Sequence, residues 1–212
     1  GSGAALIKTP DLAHAIVRAA RQGLEDWAGG QSIHSQGFKP SRIEFIHTLN
    51  HSRSGVPVVP RRLLPLSIKT RLGFDCVVVE RWVEHLLAAR PAAITLHGRT
   101  LQQMYRGAAD WSAIAEAAKL AHGTGTLMLG NGDLNTLVDA IRRAAESKVQ
   151  GVLVGRGTLG SPWFFREKEQ ARRAFSERDD LPTLPAAAWE PQVSVSHRMQ
   201  VMLDHARQYE AI

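Results

Sequence analysis

The chain has 212 residues, 18 of them Gly and one Cys, and its 26 Lys and Arg against 20 Asp and Glu give a formal charge of +6. A hydrophobic share of 44% with 22% charged residues excludes disorder over most of the length, and a single cysteine excludes a disulfide scaffold. No apolar run reaches the ~18 residues of a membrane span, no signal peptide is expected at the N-terminal Gly-Ser-Gly-Ala-Ala-Leu, and one cysteine suits a reducing compartment, so a cytoplasmic protein without membrane contact is expected.

Thr9, Pro10 and Asp11 supply a cap, a proline at the first helical position and an acid in the first turn. Leu12, Ile16, Ala19, Ala20, Leu24 and Trp27 follow at helical spacing, predicting a helix over 9–28. Between 29 and 62 the periodicity fails in a stretch rich in Gly, Ser, His, Pro and Arg, which reads as an inserted loop with one helical turn or two. A regular alternation then begins. Short apolar runs at 64–70, 93–97, 126–130 and 151–155 read as strands, and amphipathic stretches at 77–89, 110–121, 134–145 and 163–175 as helices. Residues 178–192 form a Pro- and Ala-rich linker, and 194–212 predict one more helix with Val195, Met199, Met202 and Leu203 as its apolar positions.

Four apolar strands separated by helices imply parallel strands buried on both faces, in a doubly wound sheet or a β/α barrel. Each strand ends on a polar cluster: Lys69-Thr70-Arg71, His97-Gly98-Arg99, Asn131-Gly132-Asp133 and Gly155-Arg156-Gly157. Ligands of parallel α/β folds bind at the carboxyl ends of strands, so the four clusters are expected to face one site. Gly130, Gly132, Gly155, Gly157 and Gly160 would let backbone N–H groups approach an anion, which points to a phosphorylated cofactor or substrate. Lys69 and Arg156 are costly to bury at strand ends without an anionic partner, and His97 ends a buried strand. Asp133 reads equally well as the cap of the next helix, and Asn131 as a turn residue. The other histidines read as surface or packing residues, no metal site is expected, and Cys76 reads as a small packing residue.

These strings resemble a known family. Lys69-Thr70-Arg71-Leu72-Gly73-Phe74-Asp75 resembles the KTRxGxD motif of tRNA-dihydrouridine synthases, and His97-Gly98-Arg99-Thr100 their HGRT. Tyr105-Arg106-Gly107-Ala108-Ala109-Asp110-Trp111 is similar to their YxGxADW, Asn131-Gly132-Asp133 to their NGD, and the run from Val154 to Trp163 to VGRGxxGxPW. Gly1–Pro10 resembles their GxGAALxxxP. The resemblance implies an FMN-dependent (β/α)8 barrel followed by a helical tRNA-binding domain, reducing uridine to 5,6-dihydrouridine in tRNA with NADPH as reductant. It implies that Lys69 and His97 face the flavin and substrate, that Arg99 supports them by contacting the flavin's surroundings or the tRNA, and that Asn131, Gly132, Asp133, Gly155 and Arg156 hold the ribityl chain and phosphate. The +6 charge is compatible with contact to an RNA backbone.

The family's acid, a cysteine in an NxGCP motif ahead of GxGAAL, has no counterpart here, so no residue of this chain is expected to be the catalytic acid. The chain is therefore expected to be the C-terminal half of such a barrel. That gives four β/α units over 1–177 with an insertion at 29–62, a linker, and at 193–212 the start of the helical domain. On its own it is expected to be inactive and to self-associate through open barrel edges. The competing expectations are another FMN barrel acting on a small molecule, and a non-catalytic half-barrel that binds phosphate or RNA.

Overall fold

The computed structural model describes residues 3–52, 60–164 and 193–210. Its centre is a sheet of four parallel strands, β1 (Ser67–Arg71), β2 (Ala93–His97), β3 (Leu127–Asn131) and β4 (Gly151–Leu153), paired in the order β1-β2-β3-β4. The order follows the chain without reversal. Right-handed crossovers that always step the same way place their helices on one face, which is the winding of a barrel and not of a doubly wound sheet. The crossover helices are α3 (Val79–Ala88), α4 (Trp111–Ala121) and α5 (Leu137–Ser147), with α4 packed between the other two. This is the expected partial (β/α)8 barrel.

The core lies between sheet and helices, where Val83, Ile94, Leu96, Ile114, Ala117 and Met128 are completely buried. Ile94, Leu96 and Met128 occupy alternate strand positions, so the residues between them, Thr95, His97, Leu127, Leu129 and Asn131, face the other side. The Asp110 carboxylate accepts the Ala113 N–H at 2.9 Å and starts α4 as the sequence predicts, and Trp111, Ile114, Ala118 and Ala121 are buried. Trp111 packs against Gly130, where a Cβ would stand 2.5 Å from a ring carbon. The Trp82 indole reaches the sheet through a 3.0 Å hydrogen bond to Thr70 Oγ1.

Several expectations change. Residues 29–62 hold more than a turn or two. After a short 3-10 turn at Ile33–Gln36, a 13-residue helix, α2 (Pro40–Ser52), occupies the segment expected to be loop. Its apolar residues fall on both sides of the helix, Ile43 inward and Phe45 and Leu49 outward, so no single inward-facing stripe marks it in the sequence. The first helix, α1 (Pro10–Ala28), forms where expected, but Ala13 and Val17 face inward while Leu12 and Ile16 stay half exposed. Its contact face is set by polar anchors on α3: His14 Nε2 meets the His85 carbonyl at 2.5 Å with the two rings stacked, and Arg21 donates to the Ala89 carbonyl at 2.7 Å. The helix expected from 134 starts at Leu137, capped by Thr136 Oγ1 on the Asp139 N–H, and Asp133 is left free for other work. The last helix, α6 (Val195–Glu210), leaves Val195, Met199, Met202 and Leu203 exposed, with Arg198 stacked over Trp163 at 5.1 Å. Most of the helix expected at 163–175, and the linker 178–192, lie outside the described residues. Among the described residues no helix is long and apolar enough to cross a membrane.

Candidate active site

Parallel register brings Arg71, His97, Asn131 and Leu153 into one row across the carboxyl ends of the four strands, with Lys69 one layer below beside Thr95. Period-2 alternation turns all of them to the face away from the helices. There they line a cleft of about 220 Å³, completed by Tyr105, Gly132, Asp133, Leu134, Asn135, Gly155 and Arg156. The four polar clusters do converge on one site.

Its wall is braced by Arg99, which is 2% exposed. One guanidinium nitrogen, Nη2, donates to both oxygens of Asp133 at 2.8 and 2.6 Å and to the Gly107 carbonyl at 2.6 Å, and Nε lies 3.3 Å from the Arg106 and Gly107 carbonyls. Asp133 Oδ2 also accepts the Ala109 N–H at 2.7 Å, and Oδ1 lies 3.4 Å from Arg156 Nη2. One carboxylate thus ties the loops after β2, β3 and β4 together. Burial alone would raise its pKa, but the Arg99 and Ala109 hydrogen bonds and the charges of Arg99 and Arg156 hold it below the usual carboxylate range. Gly132, between Asn131 and Asp133, has φ +131°, and a Cβ there would stand 2.6 Å from Ala109 and 3.2 Å from the His97 ring, so this position admits only glycine.

The cleft floor is cationic. Lys69 has no acidic partner within 4.0 Å among the described residues, and burial, then the charge of Arg71, lowers its pKa from the usual value. Arg71 is held by the Thr100 and Met104 carbonyls at 2.9 and 3.1 Å. Burial, followed by the charges of Arg71, Lys69 and Arg99, pushes His97 down to about 4, against a smaller upward pull from Asp133. Its imidazole is therefore neutral at pH 7. Arg99 Nη1, a donor, stands 3.5 Å from His97 Nε2, which favours the tautomer protonated on Nδ1. Asn131 donates to the Leu153 carbonyl at 2.7 Å. Arg156 is more than half exposed, stacked at 4.9 Å on the Tyr105 ring, with donors left for a ligand.

Of the expected site residues, Lys69, His97, Asn131, Gly132, Asp133, Gly155 and Arg156 line the cleft. Arg99 lies behind its wall. Two of the five glycines serve packing: Gly130 faces Trp111, and a Cβ on Gly157 would collide with the Leu134 carbonyl. Arg71, expected at the site only as part of its strand-end cluster, and Tyr105, named only within its motif, also line the cleft. Arg71 stands two residues from Lys69 on the same strand face, a signal the sequence carries; the loop position of Tyr105 carries none. Cys76 is exposed and lines a different cleft with Phe74, Asp75 and Trp82, beside α3.

The fold and the site together are those of a partial β/α barrel with cationic side chains gathered at its strand ends. The sequence model of the family described as Dihydrouridine synthase (Dus) matches residues 51–211, and the chain belongs to that family. It is similar to the probable tRNA-dihydrouridine synthase of Aquifex aeolicus (strain VF5), 40% identical over 109 residues, covering 51% of this chain and 34% of the relative. It is also similar to the probable tRNA-dihydrouridine synthase of Rhodobacter capsulatus, 38% identical over 130 residues, covering 59% and 37%. A third relative is the tRNA-dihydrouridine(47) synthase (NAD(P)(+)) of Sclerotinia sclerotiorum, 34% identical over 176 residues, covering 66% and 23%. The chain thus spans between about a quarter and about a third of the length of these curated relatives.

Proposed function

We propose that this chain forms the flavin-phosphate half of a tRNA-dihydrouridine synthase, an oxidoreductase that saturates the C5=C6 bond of a tRNA uridine with FMN as cofactor and NADPH as reductant. The observation that carries this reading is the convergence of Lys69, His97, Asn131 and Arg156 from four successive strand ends on one cleft. The residues fit the cofactor. A Cβ at Gly155 would meet no atom within 4 Å, so the backbone lies open beside Arg156, where a phosphate finds N–H donors and a guanidinium. Lys69, without an acidic partner, is placed to stabilise negative charge on a ring bound against the sheet. Neutral His97 offers a ring N–H to a carbonyl oxygen without bringing a further full charge to Lys69 and Arg71. When bound, FMN supplies the hydride.

The uracil has to leave its stack to reach the cleft, and the basic chain favours the RNA backbone that delivers it. Cys76 does not line the cleft, so in this reading it is not the group that protonates C5. The single cysteine suits a reducing compartment, and the reading places the protein in the cytoplasm.

The test is cofactor retention. The 212-residue chain incubated with FMN and desalted is expected to keep a visible flavin band, and riboflavin, which lacks the phosphate, to wash out. Arg156→Ala should weaken FMN at least tenfold and leave riboflavin unchanged. Equal retention of the two flavins, or of neither, overturns the reading.

A further inference from the structure

We propose that the exposed face of α2 is a contact surface for the RNA substrate, added to the shared catalytic scaffold; this rests on the reading of the chain as acting on tRNA. Residues 29–62 carry five cations, Lys39, Arg42, Arg53, Arg61 and Arg62, against one acid, Glu44, which is +4 of the chain's +6. The family match begins at residue 51, so α2 lies almost wholly outside it.

A charge run is ordinarily a solvated face, but this one is interleaved with apolar rings. At 100° per residue, Arg42, Phe45 and Leu49 fall on one side of α2, and Phe38 precedes them at the same spacing. Phe38 is 51% exposed, Phe45 55% and Leu49 44%, while the opposite side buries Ile43. Lys39 and Arg42 are exposed, with no acidic partner within 4.0 Å among the described residues. Arg61 is committed elsewhere, to the Gln31 carbonyl at 3.1 Å. Uncompensated cations alternating with uncovered aromatic rings match the two surfaces of RNA: phosphates for Lys39 and Arg42, and the face of an unpaired base for Phe45. A protein partner would favour an apolar centre depleted of charge, which this stripe lacks.

Fluorescence-anisotropy titration of an unmodified tRNA transcript over a salt series tests the assignment. It compares the wild-type chain with the double variant Lys39→Glu/Arg42→Glu and with Phe45→Ala, and FMN retention is read on the same samples. The double variant is expected to bind roughly tenfold more weakly, with a salt slope shallower by about two, and to retain FMN normally. Phe45→Ala is expected to lose about fivefold with its salt slope unchanged. Arg42→Gln, a milder change expected to flatten the slope by about one, replaces the double variant if circular dichroism shows that it misfolds. If every variant binds tRNA like the wild type, α2 is no RNA surface and the functional reading still stands. If the chain prefers phosphatidylserine–phosphatidylcholine vesicles to tRNA, the occupant is wrong. A wild-type chain that takes up neither FMN nor tRNA overturns the functional reading, and this inference falls with it.

Discussion

Asp133 has φ +50°, in the left-handed region that a short carboxylate tolerates when local hydrogen bonds hold it, and Arg99 supplies most of that hold. Breaking a fully buried ion pair by removing one partner costs about 3–5 kcal/mol. The Asp133 side chain is 34% exposed, so Arg99→Ala is expected to cost less, about 2 kcal/mol in urea unfolding. Arg99→Lys should recover only part, since an ammonium cannot reproduce the forked contacts with Asp133, Gly107 and Arg106. A loss in Arg99→Ala no larger than that of an exposed-surface substitution would contradict the bracing role. His97 gives a pH signature. Its folded pKa of about 4 lies below the ordinary 6.5, so the unfolded chain takes up the proton first. Stability is then full above 6.5, falls between 6.5 and 4, and gains no further loss from this group below 4. The drop is on the order of 3 kcal/mol, and His97→Gln should flatten that window in urea midpoints measured across pH. Asp133, with its lowered pKa, acts in the acid range below it: its contribution is present above the ordinary 3.8 and is lost as pH falls through the folded value. The pairing of Arg99 with Asp133 could not be read from the sequence, because the partners are 34 residues apart and join only when β2 and β3 align.

The β/α alternation was legible element by element because each unit states its own burial. The strand 93–97 matches β2 residue for residue, since Ile94 and Leu96 are apolar on the helix side and His97 marks the polar end. The cap at Asp110 needed only local chemistry. By contrast, α2 buries only Ile43 and carries apolar residues on its outer side as well, which blurs the inward-facing pattern, and the inward face of α1 follows from anchors at α3 that only the fold brings near. Helix α4 packs close to the sheet where Trp111 meets Gly130. Gly130→Ala places a Cβ 2.5 Å from the Trp111 ring and should cost about 1–3 kcal/mol, with altered Trp fluorescence as α4 moves. Gly151→Ala, on the next strand, meets only an ordinary 3.4 Å contact with Leu129 and should stay within about 0.5 kcal/mol of wild type. Equal costs at the two positions would mean that Trp111 yields freely and does not fix the position of α4.

At the scale of the whole molecule, β1 and β4 each have one paired neighbour, so each presents an open edge among the described residues. The face turned away from the helices carries Leu127, 52% exposed, in register with Ala93, so apolar surface accompanies those edges. A parallel sheet is ordinarily covered on both faces, and an uncovered edge is a template for another strand. Two copies related by a two-fold axis would set β4 of each against β1 of the other, and two sheets of four strands supply the eight that close a barrel. Such two-fold pairing ends at the dimer because both edges of each copy are then satisfied, whereas unclosed edge pairing would run on to larger species. Sedimentation equilibrium of the chain at micromolar concentration is therefore expected to show a monomer–dimer equilibrium. Leu127→Lys should shift it toward monomer while leaving the urea midpoint within about 0.5 kcal/mol, because the side chain it replaces is half exposed in the monomer. A chain that stays monomeric to high concentration would show that its edges are protected without a second copy.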